Sequence, residues 1–252
     1  MRFLHLSDLH IHSQGSTNKA VADTLDYVRE HYHDHKLIIT GDITDDGSPD
    51  QYLQAQKLLA PFSGRMFFCP GNHDYGAVGN LFSRDRARSF DEMLSVPFNQ
   101  GGTFAGDCHP VVNMVRDDEG EVLLIALDSN LETQQPFDFA CGEIGATQLA
   151  DLDALLTYSR PANTPVFLFF HHHPYDYHSP FMELKDAPSL ARVAYNRVNV
   201  MLFGHRHVSD VWTQNRWNIP YILAADNSPG KKWAREITVT GTTVTVQDVP
   251  IA

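Results

Sequence analysis

The sequence predicts an α/β protein built as a layered sandwich of two packed sheets. In the first third of its 252 residues, short apolar runs alternate with longer amphipathic stretches. This alternation is typical of parallel strands with helices on the sheet faces. After about residue 208 the pattern contains strands only, which predicts a second set of antiparallel strands. No shift in composition marks a boundary, so we expect one domain over residues 1–252.

The first elements are predicted from the signals at their ends. Residues 2–6 have the apolar character of a strand, and Ser16 or Thr17 can cap the helix that follows. A second helix begins at Ser48-Pro49-Asp50-Gln51, where a capping residue precedes a first-turn proline and a capping-box glutamine. The further strands predicted in this half are 37–40 and 66–69.

The middle and the end of the chain are assigned in the same way. Helices are predicted near 77–95 and near 144–158, and a turn at Asp117-Asp118-Glu119-Gly120 joins two strands. The predicted strands of this half are 110–115, 122–127, 166–170, 198–203, 237–239 and 244–246.

The composition excludes several classes of protein. Hydrophobic residues make up 42% and charged residues 20%, which excludes a disordered or collagen-like chain and a disulfide-stapled mini-domain. With Lys+Arg 19 against Asp+Glu 31, the net charge is -12, which argues against a nucleic-acid duplex as partner. The apolar runs are far shorter than the roughly 20 residues that cross a bilayer, so we expect no membrane segment.

The cysteines and the start of the chain bear on its compartment. Cys69, Cys108 and Cys141 are widely spaced and form no C-x-x-C pair, so we expect three reduced thiols. No basic and apolar leader precedes the first predicted strand. Together these observations predict a cytoplasmic protein.

Polar clusters rich in histidine follow directly on five predicted strands. The chain has 14 histidines, many of them in tight groups. Ligands of open α/β sheets bind outside the carboxyl ends of the strands, so we expect the clusters to meet at one sheet edge. In chain order they are Asp8-Leu9-His10, Gly41-Asp42, Gly71-Asn72-His73-Asp74, His171 to His173 and Gly204-His205-Arg206-His207.

Each cluster alone has an ordinary structural explanation. An Asp after a strand is commonly a loop or cap residue, and Gly-Asn-His-Asp is compatible with a simple turn. The five clusters together are a specific signal. Carboxylates and imidazoles without thiolates suit divalent Zn, Mn or Fe. One carboxylate can bridge two ions roughly 3.5–4 Å apart, which is the arrangement that two-metal phosphoester hydrolysis requires.

The order of these clusters resembles the calcineurin-like metallophosphoesterase superfamily. The superfamily pattern is D-x-H, G-D-x-x-D, G-N-H-D/E, H and G-H-x-H, and its second element here is Gly41-Asp42-Ile43-Thr44-Asp45. The match runs from residue 8 to residue 207 with each element present. The resemblance implies a four-layer α/β/β/α sandwich of two mixed sheets flanked by helices. It also implies a metal-dependent phosphoric ester hydrolase.

The resemblance further implies a dinuclear metal centre that holds two divalent or mixed-valence ions of Mn, Fe or Zn. A His-x-Pro pattern before Pro174 selects His172 as the ligand from the histidine run, and His171 is the alternative. Asp42 would bridge the two ions. One metal site would use Asp8, His10, Asp42 and His207, and the other Asp42, Asn72, His172 and His205.

Two further residues have catalytic roles implied by the resemblance. His73 matches the family histidine that faces the scissile phosphate and assists the leaving group. Asp45 matches the position whose carboxylate can orient that histidine. The implied reaction is attack of a metal-bridging hydroxide on a phosphomonoester or phosphodiester, with no covalent enzyme intermediate.

The substrate is less narrowly indicated than the reaction. The stretches L-S-D-L-H, G-D-I-T-D-D-G and P-G-N-H-D are similar to those of bacterial cyclic-nucleotide and glycerophosphodiester phosphodiesterases. We therefore expect a small phosphoester as partner, most simply a cyclic nucleotide or a glycerophosphodiester. A phosphomonoesterase and a noncatalytic scaffold of the same fold are the alternatives. Related small phosphodiesterases often dimerise, and that analogy admits a homodimer here.

Two stretches are candidates for the walls of the substrate site. The aromatic residues of loop 174–188 either stack on a nucleobase or pack as an ordinary surface loop. The arginines of stretch 76–90 either hold a terminal phosphate or form a solvated helix face. The side chains considered are Tyr175, Tyr177, His178 and Phe181 in the first stretch and Arg84, Arg86 and Arg88 in the second.

Overall fold

Strands and helices alternate along the chain in the computed structural model, which describes residues 1–106, 109–131, 140–159, 163–175, 181–215 and 217–252. The strands are β1 (Arg2–Leu6), β2 (Lys36–Thr40), β3 (Met66–Cys69), β4 (Gly76–Ala77), β5 (Leu81–Phe82), β6 (Val111–Asp117), β7 (Gly120–Ala126), β8 (Val166–Phe169), β9 (Val200–Phe203), β10 (Asp210–Trp212), β11 (Tyr221–Ala224), β12 (Trp233–Thr240) and β13 (Thr243–Pro250). The α-helices are α1 (Lys19–His31), α2 (Pro49–Leu59), α3 (Asn72–Tyr75), α4 (Arg84–Phe90), α5 (Ala146–Ala154) and α6 (Ala187–Ala194). A 3₁₀ turn, Ala60–Phe62, follows α2, and π-helical turns at Asp91–Ser95 and Leu155–Ser159 extend α4 and α5.

In the described residues the strands form two larger sheets and one short hairpin. The first sheet has five strands in the order β13-β12-β1-β2-β3, and the second has six in the order β10-β11-β9-β8-β7-β6. In the first sheet β1, β2 and β3 are parallel, and β12 and β13 are antiparallel to their neighbours. In the second, β7, β8, β9 and β11 are parallel, and the edge strands β6 and β10 are antiparallel. The predicted α/β class with two mixed sheets flanked by helices is confirmed.

Apolar layers hold the two sheets and the outer helices together. The rings of Phe3 in β1 and Phe167 in β8 are 5.1 Å apart between centroids, and both are fully buried. Because successive strand residues face opposite sides, Leu168 faces away from the first sheet. It is buried in a second cluster with Leu152 of α5 and Leu190 of α6. Burial of each such side chain contributes about 1.5–3 kcal/mol, so these layers stabilise the sandwich.

The helix predicted near 77–95 is shorter than expected. Residues 76–82 form the hairpin β4–β5, and α4 begins only after Ser83, whose Oγ accepts a hydrogen bond from Arg86 N. Gly79 in this hairpin has a φ of +70°, which glycine adopts readily. A Cβ at Gly76 would lie 2.2 Å from the carbonyl oxygen of Leu81, so the two strands of the hairpin approach closely there.

The predicted capping residues of α1 are also one or two positions too early. The helix begins at Lys19, directly after Asn18. Asn18 does not cap the helix with its side chain but bonds both main-chain polar groups of His12, at 2.8 Å in each case. This pairing joins the segment after β1 to the start of α1.

One edge of each sheet brings the polar clusters together. The residues after β1 and β2 are joined by main-chain hydrogen bonds, Asp8 N to Gly41 O at 3.1 Å and His10 N to Asp42 O at 3.0 Å. The two sheets are tied at the same edge, because His205 N donates to Asp8 Oδ1 at 3.1 Å. Carboxyl ends of parallel strands from both sheets therefore face one another across a shared crevice.

The described residues also bear on the expected absence of a membrane segment and on the state of the cysteines. Among the described residues, no helix combines the length and the apolar character needed to span a membrane. Cys69 is a buried free thiol, in agreement with its expected reduced state, and Cys141 is also buried. Cys108 lies outside the described residues.

Candidate metal centre

Asp42 lies at the middle of the crevice between the two sheets. It follows β2 and is buried, with 1% of its surface exposed. Its Oδ1 accepts a hydrogen bond from His73 N at 2.9 Å. Its Oδ2 is 3.2 Å from His171 Nε2 on one side and 3.9 Å from His10 Nε2 on the other. The carboxylate thus has potential ligands on both sides, and His10 and His73 form one candidate ligand group with it.

The first group comes from the ends of β1 and β9. Asp8, His10 and His207 each offer one ligand atom, and these atoms lie within 4.8 Å of one another. His10 Nε2 is 3.1 Å from His207 Nε2, and His207 Nε2 is 3.6 Å from Asp8 Oδ1. Asp8 and His10 are buried and the side chain of His207 is half exposed, so this group is reachable from solvent on one side.

The second group joins residues that follow β2, β3, β8 and β9. Asp42, His171 and His205 offer ligand atoms within 4.8 Å of one another. His205 Nδ1 is 3.2 Å from His171 Nε2 and 3.0 Å from Asn72 Oδ1. The amide of Asn72 donates from Nδ2 to Gly79 O at 2.9 Å, which turns Oδ1 toward His205. The structure therefore brings Asn72 into the same group through its oxygen.

The structure distinguishes His171 from His172, the expected ligand of the histidine run. His171 Nδ1 donates to Thr40 O at 2.7 Å, which leaves Nε2 as the nitrogen that faces Asp42 and His205. His172 instead places Nδ1 2.8 Å from Ser129 Oγ and stands outside both ligand groups. The His-x-Pro spacing points to His172, but successive side chains on an extended segment face opposite sides, and here His171 faces the crevice.

Five of the expected ligands have a left-handed backbone. The φ angles are 60° at Asp8, 47° at His10, 49° at Asp42, 75° at His205 and 50° at His207. Positive φ is uncommon outside glycine and costs on the order of 1–2 kcal/mol per residue. Such strain persists where the surrounding structure enforces it, and it is concentrated at functional sites. Sequence reasoning has no signal for this feature.

Buried charges in the centre shift one another's pKa. Burial raises the pKa of the Asp8 carboxyl, against the opposing effect of His171. Burial also disfavours the charged form of Asp42, yet His171 and His73 hold the pKa of that carboxyl well below its usual range. Burial disfavours charge on His171 as well, but the Asp42 carboxylate raises its pKa to about 9. Protons and metal ions therefore compete for these groups, because ligands bind metals in deprotonated form.

The donors fit divalent metal ions. Carboxylate and amide oxygens with imidazole nitrogens are ligands for Zn, Mn and Fe. Asp8 Oδ2 is buried and has no hydrogen-bond partner among the described residues, a situation that costs about 1–3 kcal/mol unless a cation or water satisfies it. His171 has the geometry of a metal ligand in proteins, because its second nitrogen donates to a main-chain carbonyl.

His73 lies at the rim of the centre, and Asp45 orients it differently from expectation. His73 helps to line a cavity of about 270 Å³ with Asp42 and His205. Its Nδ1 donates to the main-chain oxygen of Asp45 at 2.7 Å. The Asp45 carboxylate, which was expected to orient His73, instead lies 3.6 Å from His10 Nδ1 and 3.3 Å from His12 Nδ1. The Asp45 carboxylate thus lies beside the imidazoles of His10 and His12, and the main-chain oxygen of Asp45 contacts His73.

Sequence reasoning gave no role to two residues that support the centre. The Asp74 carboxylate accepts hydrogen bonds from Gly71 N at 2.9 Å and Thr44 N at 2.8 Å, so it ties the loops after β2 and β3 together. Burial, together with the nearby Asp42 carboxylate, raises the pKa of Asp74 to about 6. Ser129 Oγ holds His172 and also accepts from His171 N at 3.3 Å. The sequence feature that could have indicated these supporting roles is position, because each residue lies just beyond the end of a strand.

The expected aromatic wall after Pro174 is described only in part. Tyr177 and His178 lie outside the described residues. The ring of Tyr175 packs against Trp212 and Trp217 at centroid distances of 5.4 Å and 5.3 Å, so it belongs to a packed aromatic cluster. Phe181 is 52% exposed. Of the two described aromatic residues, Phe181 is the more exposed, and Tyr175 is half-buried.

Comparisons with known proteins agree with this geometry. A family model described as calcineurin-like phosphoesterase matches residues 1–209. The chain is 27% identical to a 3',5'-cyclic-nucleotide phosphodiesterase of Nostoc, over 74% of this chain and 60% of that protein. It is 32% identical to a probable cyclic nucleotide phosphodiesterase of Rhodococcus erythropolis, over 83% of this chain and 66% of that protein. The match thus spans less than two thirds of the length of either relative.

Solved structures share the fold at low identity. A dimetal phosphatase from Danio rerio superposes with a TM-score of 0.66 at 16% identity, covering 100% of this chain and 98% of that one. GAP50, described as the anchor in the inner membrane complex of Plasmodium, superposes with a TM-score of 0.59 at 12% identity, covering 100% of this chain and 84% of that one. One fold therefore carries a phosphatase and an anchor, and function has to be argued from the site.

Proposed function

Because the chain belongs to the calcineurin-like phosphoesterase family, we propose that it is a phosphodiesterase that uses two divalent metal ions to hydrolyse a small phosphodiester. The observation that carries the proposal is the position of Asp42, whose carboxylate lies between two groups of ligand atoms. A carboxylate in that position can bridge two ions. The names of the relatives from Nostoc and Rhodococcus erythropolis, both cyclic nucleotide phosphodiesterases, support a cyclic nucleotide as the substrate.

The proposed ligand sets follow the two groups. His171 replaces the expected His172, because its Nε2 faces Asp42 Oδ2 at 3.2 Å. The chemistry that the ions supply when bound is positive charge beside the phosphate and a lowered pKa of water, so that a nucleophile is available at neutral pH. Mn, Fe and Zn all suit these donors. One set is Asp8, His10, Asp42 and His207, and the other is Asp42, Asn72, His171 and His205.

His73 is proposed to assist the leaving group. Its main-chain N–H is held by Asp42 Oδ1 and its ring Nδ1–H by the main-chain oxygen of Asp45. These two bonds fix the ring and leave Nε2 to act on the substrate in the adjoining cavity. As an imidazolium, His73 can donate a proton to the departing alkoxide, a contribution typically worth about 10²–10⁴ in rate.

We also propose that residues 1–252 act as one domain. The family model ends at residue 209, but β12 pairs with β1 in the middle of the first sheet. The C-terminal strands therefore complete the sheet whose other strands carry Asp8 and Asp42. Removal of β12 and β13 would expose the edge of β1 and destabilise the strand that carries the first ligands.

The test compares hydrolysis of bis(p-nitrophenyl) phosphate with that of p-nitrophenyl phosphate, with Mn added and with metal removed. We expect metal-dependent turnover that favours the diester. Asp42→Asn should lose bound metal and turnover together, while Asp23→Asn, a surface change on α1, should keep both. A preference for the monoester would assign a phosphatase instead. Absence of turnover with both metals bound would favour a noncatalytic scaffold.

A further inference from the structure

We propose that a second cavity, beside the metal centre, binds the amino-bearing base of a nucleotide substrate. The inference rests on the proposed function and deepens it, because it selects the cyclic nucleotide over the glycerophosphodiester. The cavity has a volume of about 310 Å³ and opens between α4, the segment 104–106 and the start of α5. This volume is at the lower end of the range of small-molecule sites, roughly 300–1,000 Å³.

Aromatic side chains form the walls of this base cavity. Tyr75 and Phe104 are buried at 2% exposure each, and Phe82 is half-buried beside them. The Tyr75 and Phe82 rings meet edge to face at a centroid distance of 5.9 Å. Rigid aromatic walls of this kind favour a flat ring as ligand, because offset-stacked and edge-to-face contacts add to the area buried.

One carboxylate, that of Asp128, lines the cavity and is held in place. Its Oδ1 accepts hydrogen bonds from Asn130 N at 2.9 Å and from Asn130 Nδ2 at 2.6 Å. Its Oδ2 accepts from Tyr75 OH at 3.2 Å. A carboxylate has about four acceptor positions, so these three bonds leave capacity on Oδ2 for a ligand N–H. An exocyclic amine on a heteroaromatic ring supplies such a donor in the plane of the ring.

The cavity and the metal centre share their supporting elements. Tyr75 ends the single-turn helix α3, which begins with Asn72 and His73. Phe82 ends the hairpin whose Gly79 O accepts from Asn72 Nδ2. On the opposite wall, Asn130 follows Ser129, whose hydroxyl lies 2.8 Å from His172 Nδ1. The residues that line the cavity and the residues proposed to hold the metal therefore lie on the same short segments, 72–75, 76–82 and 129–130.

The charge at the opening favours an anionic ligand over a cationic one. Arg84 and Arg88 line the cavity and are exposed; Arg88 pairs with Asp85 at 3.5 Å, and Arg84 has no ion pair among the described residues. In the proposal, the base of the nucleotide lies in the cavity and its phosphate lies toward the metal centre. An ammonium headgroup, such as choline of a glycerophosphodiester, would suit the aromatic walls and Asp128 but would be repelled by the arginines.

The experiment compares substrates that differ at one group. Cyclic AMP is paired with the 3',5'-cyclic monophosphate of purine riboside, which has the same ring without the exocyclic amine. Bis(p-nitrophenyl) phosphate has no base, and glycerophosphocholine carries an ammonium headgroup. The variants are Asp128→Asn, which keeps the shape and the turn at Asn130, and Arg84→Ala at the mouth. Arg192→Ala, an exposed arginine on α6, is the matched control.

The expected result is a loss of base recognition without loss of chemistry. Loss of the amine should raise KM of the unmodified enzyme about tenfold, because hydrogen bonds to a charged group contribute strongly. Asp128→Asn should raise KM for cyclic AMP by a similar factor and remove the difference between the two purines. Arg84→Ala should raise KM for both cyclic nucleotides. All three variants should hydrolyse bis(p-nitrophenyl) phosphate within about twofold of the unmodified enzyme.

Several outcomes would overturn the inference and leave the proposed function in place. One is diester turnover with KM values for cyclic AMP that Asp128→Asn and Arg84→Ala do not change. Another is a preference for glycerophosphocholine that is lost in Asp128→Asn. If no diester is turned over, the proposed function fails, and calorimetric titration with adenosine tests the cavity by itself. Adenosine should bind to the unmodified protein at least tenfold more tightly than to Asp128→Asn, and equal binding would reject the site.

Discussion

The main-chain oxygen of Asp45 lies 2.7 Å from His73 Nδ1, while the carboxylate of the same residue lies 3.6 Å from His10 Nδ1. One residue thus contacts two imidazoles of the centre through two different groups. The main chain orients the proposed leaving-group histidine. The side chain lies near the nitrogen of His10 that is turned away from Asp42, beyond hydrogen-bond distance, where its charge can act on that proposed metal ligand.

The separate roles of the Asp45 main-chain oxygen and carboxylate can be tested with Asp45→Asn, which keeps the main-chain oxygen and removes the charge of the carboxylate. We expect metal affinity to fall about tenfold, the lower end of the effect of removing such a supporting partner. The dependence of kcat on the leaving-group pKa should stay unchanged, because His73 keeps its hydrogen bond. Metal titrations and a series of aryl phosphodiesters measure the two properties. If Asp45→Asn changed the dependence of kcat on leaving-group pKa and kept its metal affinity, the Asp45 carboxylate would be the group that orients His73.

A change of His73 should separate the chemistry from metal binding. His73 belongs to neither proposed ligand set, so His73→Gln should retain two metal ions per chain. Turnover of diesters with poor alkyl leaving groups should fall by about 10²–10⁴, while p-nitrophenyl diesters should lose much less. Elemental analysis of the purified variant provides the control. Full activity on alkyl diesters would mean that His73 does not assist the leaving group.

The histidine run offers a matched pair of substitutions. His171→Ala removes a nitrogen that lies 3.2 Å from Asp42 Oδ2, and we expect it to lose one of the two ions. His172→Ala removes a ring bonded to Ser129 and should retain both ions with a lower melting temperature, because that ring is fully buried. Metal content per folded chain distinguishes the two. Loss of an ion in His172→Ala, with both ions retained in His171→Ala, would assign His172 as the ligand.

The buried imidazole of His5 should make stability depend on pH. It is fully buried, its Nε2 lies 2.9 Å from Thr40 Oγ1, and burial together with Arg235 lowers its pKa from 6.5 to about 3. The unfolded chain binds a proton near pH 6.5 and the folded chain does not until about pH 3. The free energy of unfolding should therefore fall as the pH drops below about 6.5, by up to about 1.4 kcal/mol per pH unit.

Comparison with His5→Gln isolates this contribution. Asp74 and Asp128 have pKa values raised to about 6, and they oppose the effect of His5 because they gain protons in the folded state first. Urea unfolding of both proteins from about pH 7.5 to pH 5 gives the difference. We expect a constant difference near neutral pH and a growing relative loss for the unmodified protein in acid. A difference independent of pH would mean that the pKa of His5 is the same in the folded and unfolded chains.

The order of the motifs along the chain predicted many of the residues at the proposed metal centre. Asp8, Asp42 and Asn72 each follow a predicted strand, and parallel strands place their carboxyl ends at one edge of a sheet. The histidines after β8 and β9 reach the same crevice because the second sheet packs on the first, as the resemblance implied. The strand-only tail predicted antiparallel strands; β10, β12 and β13 pair in that way, whereas β11 pairs with β9 in parallel.

Other features depend on contacts between segments distant in the chain. The preference for His171 over His172 depends on the hydrogen bond to Thr40 O, and the two residues are 131 positions apart. The orientation of Asp45 depends on His10 and His12, which belong to another strand end. The hairpin at 76–82 replaced a predicted helix because its glycines permit a tight turn over Asn72.

The sequence by itself determined the fold class and, through the resemblance of its motifs, the family, and it predicted the residues of the centre apart from the choice between His171 and His172. The fold class follows from local patterns, because hydrophobic periodicity defines strands and helices. The family follows from the resemblance of the ordered motifs. Only the tertiary structure decided which nitrogen of which histidine faces Asp42, which group of Asp45 contacts His73, and that Asp8, His10, Asp42, His205 and His207 adopt positive φ. The positive φ angles cost energy locally, and packing of the two sheets enforces them.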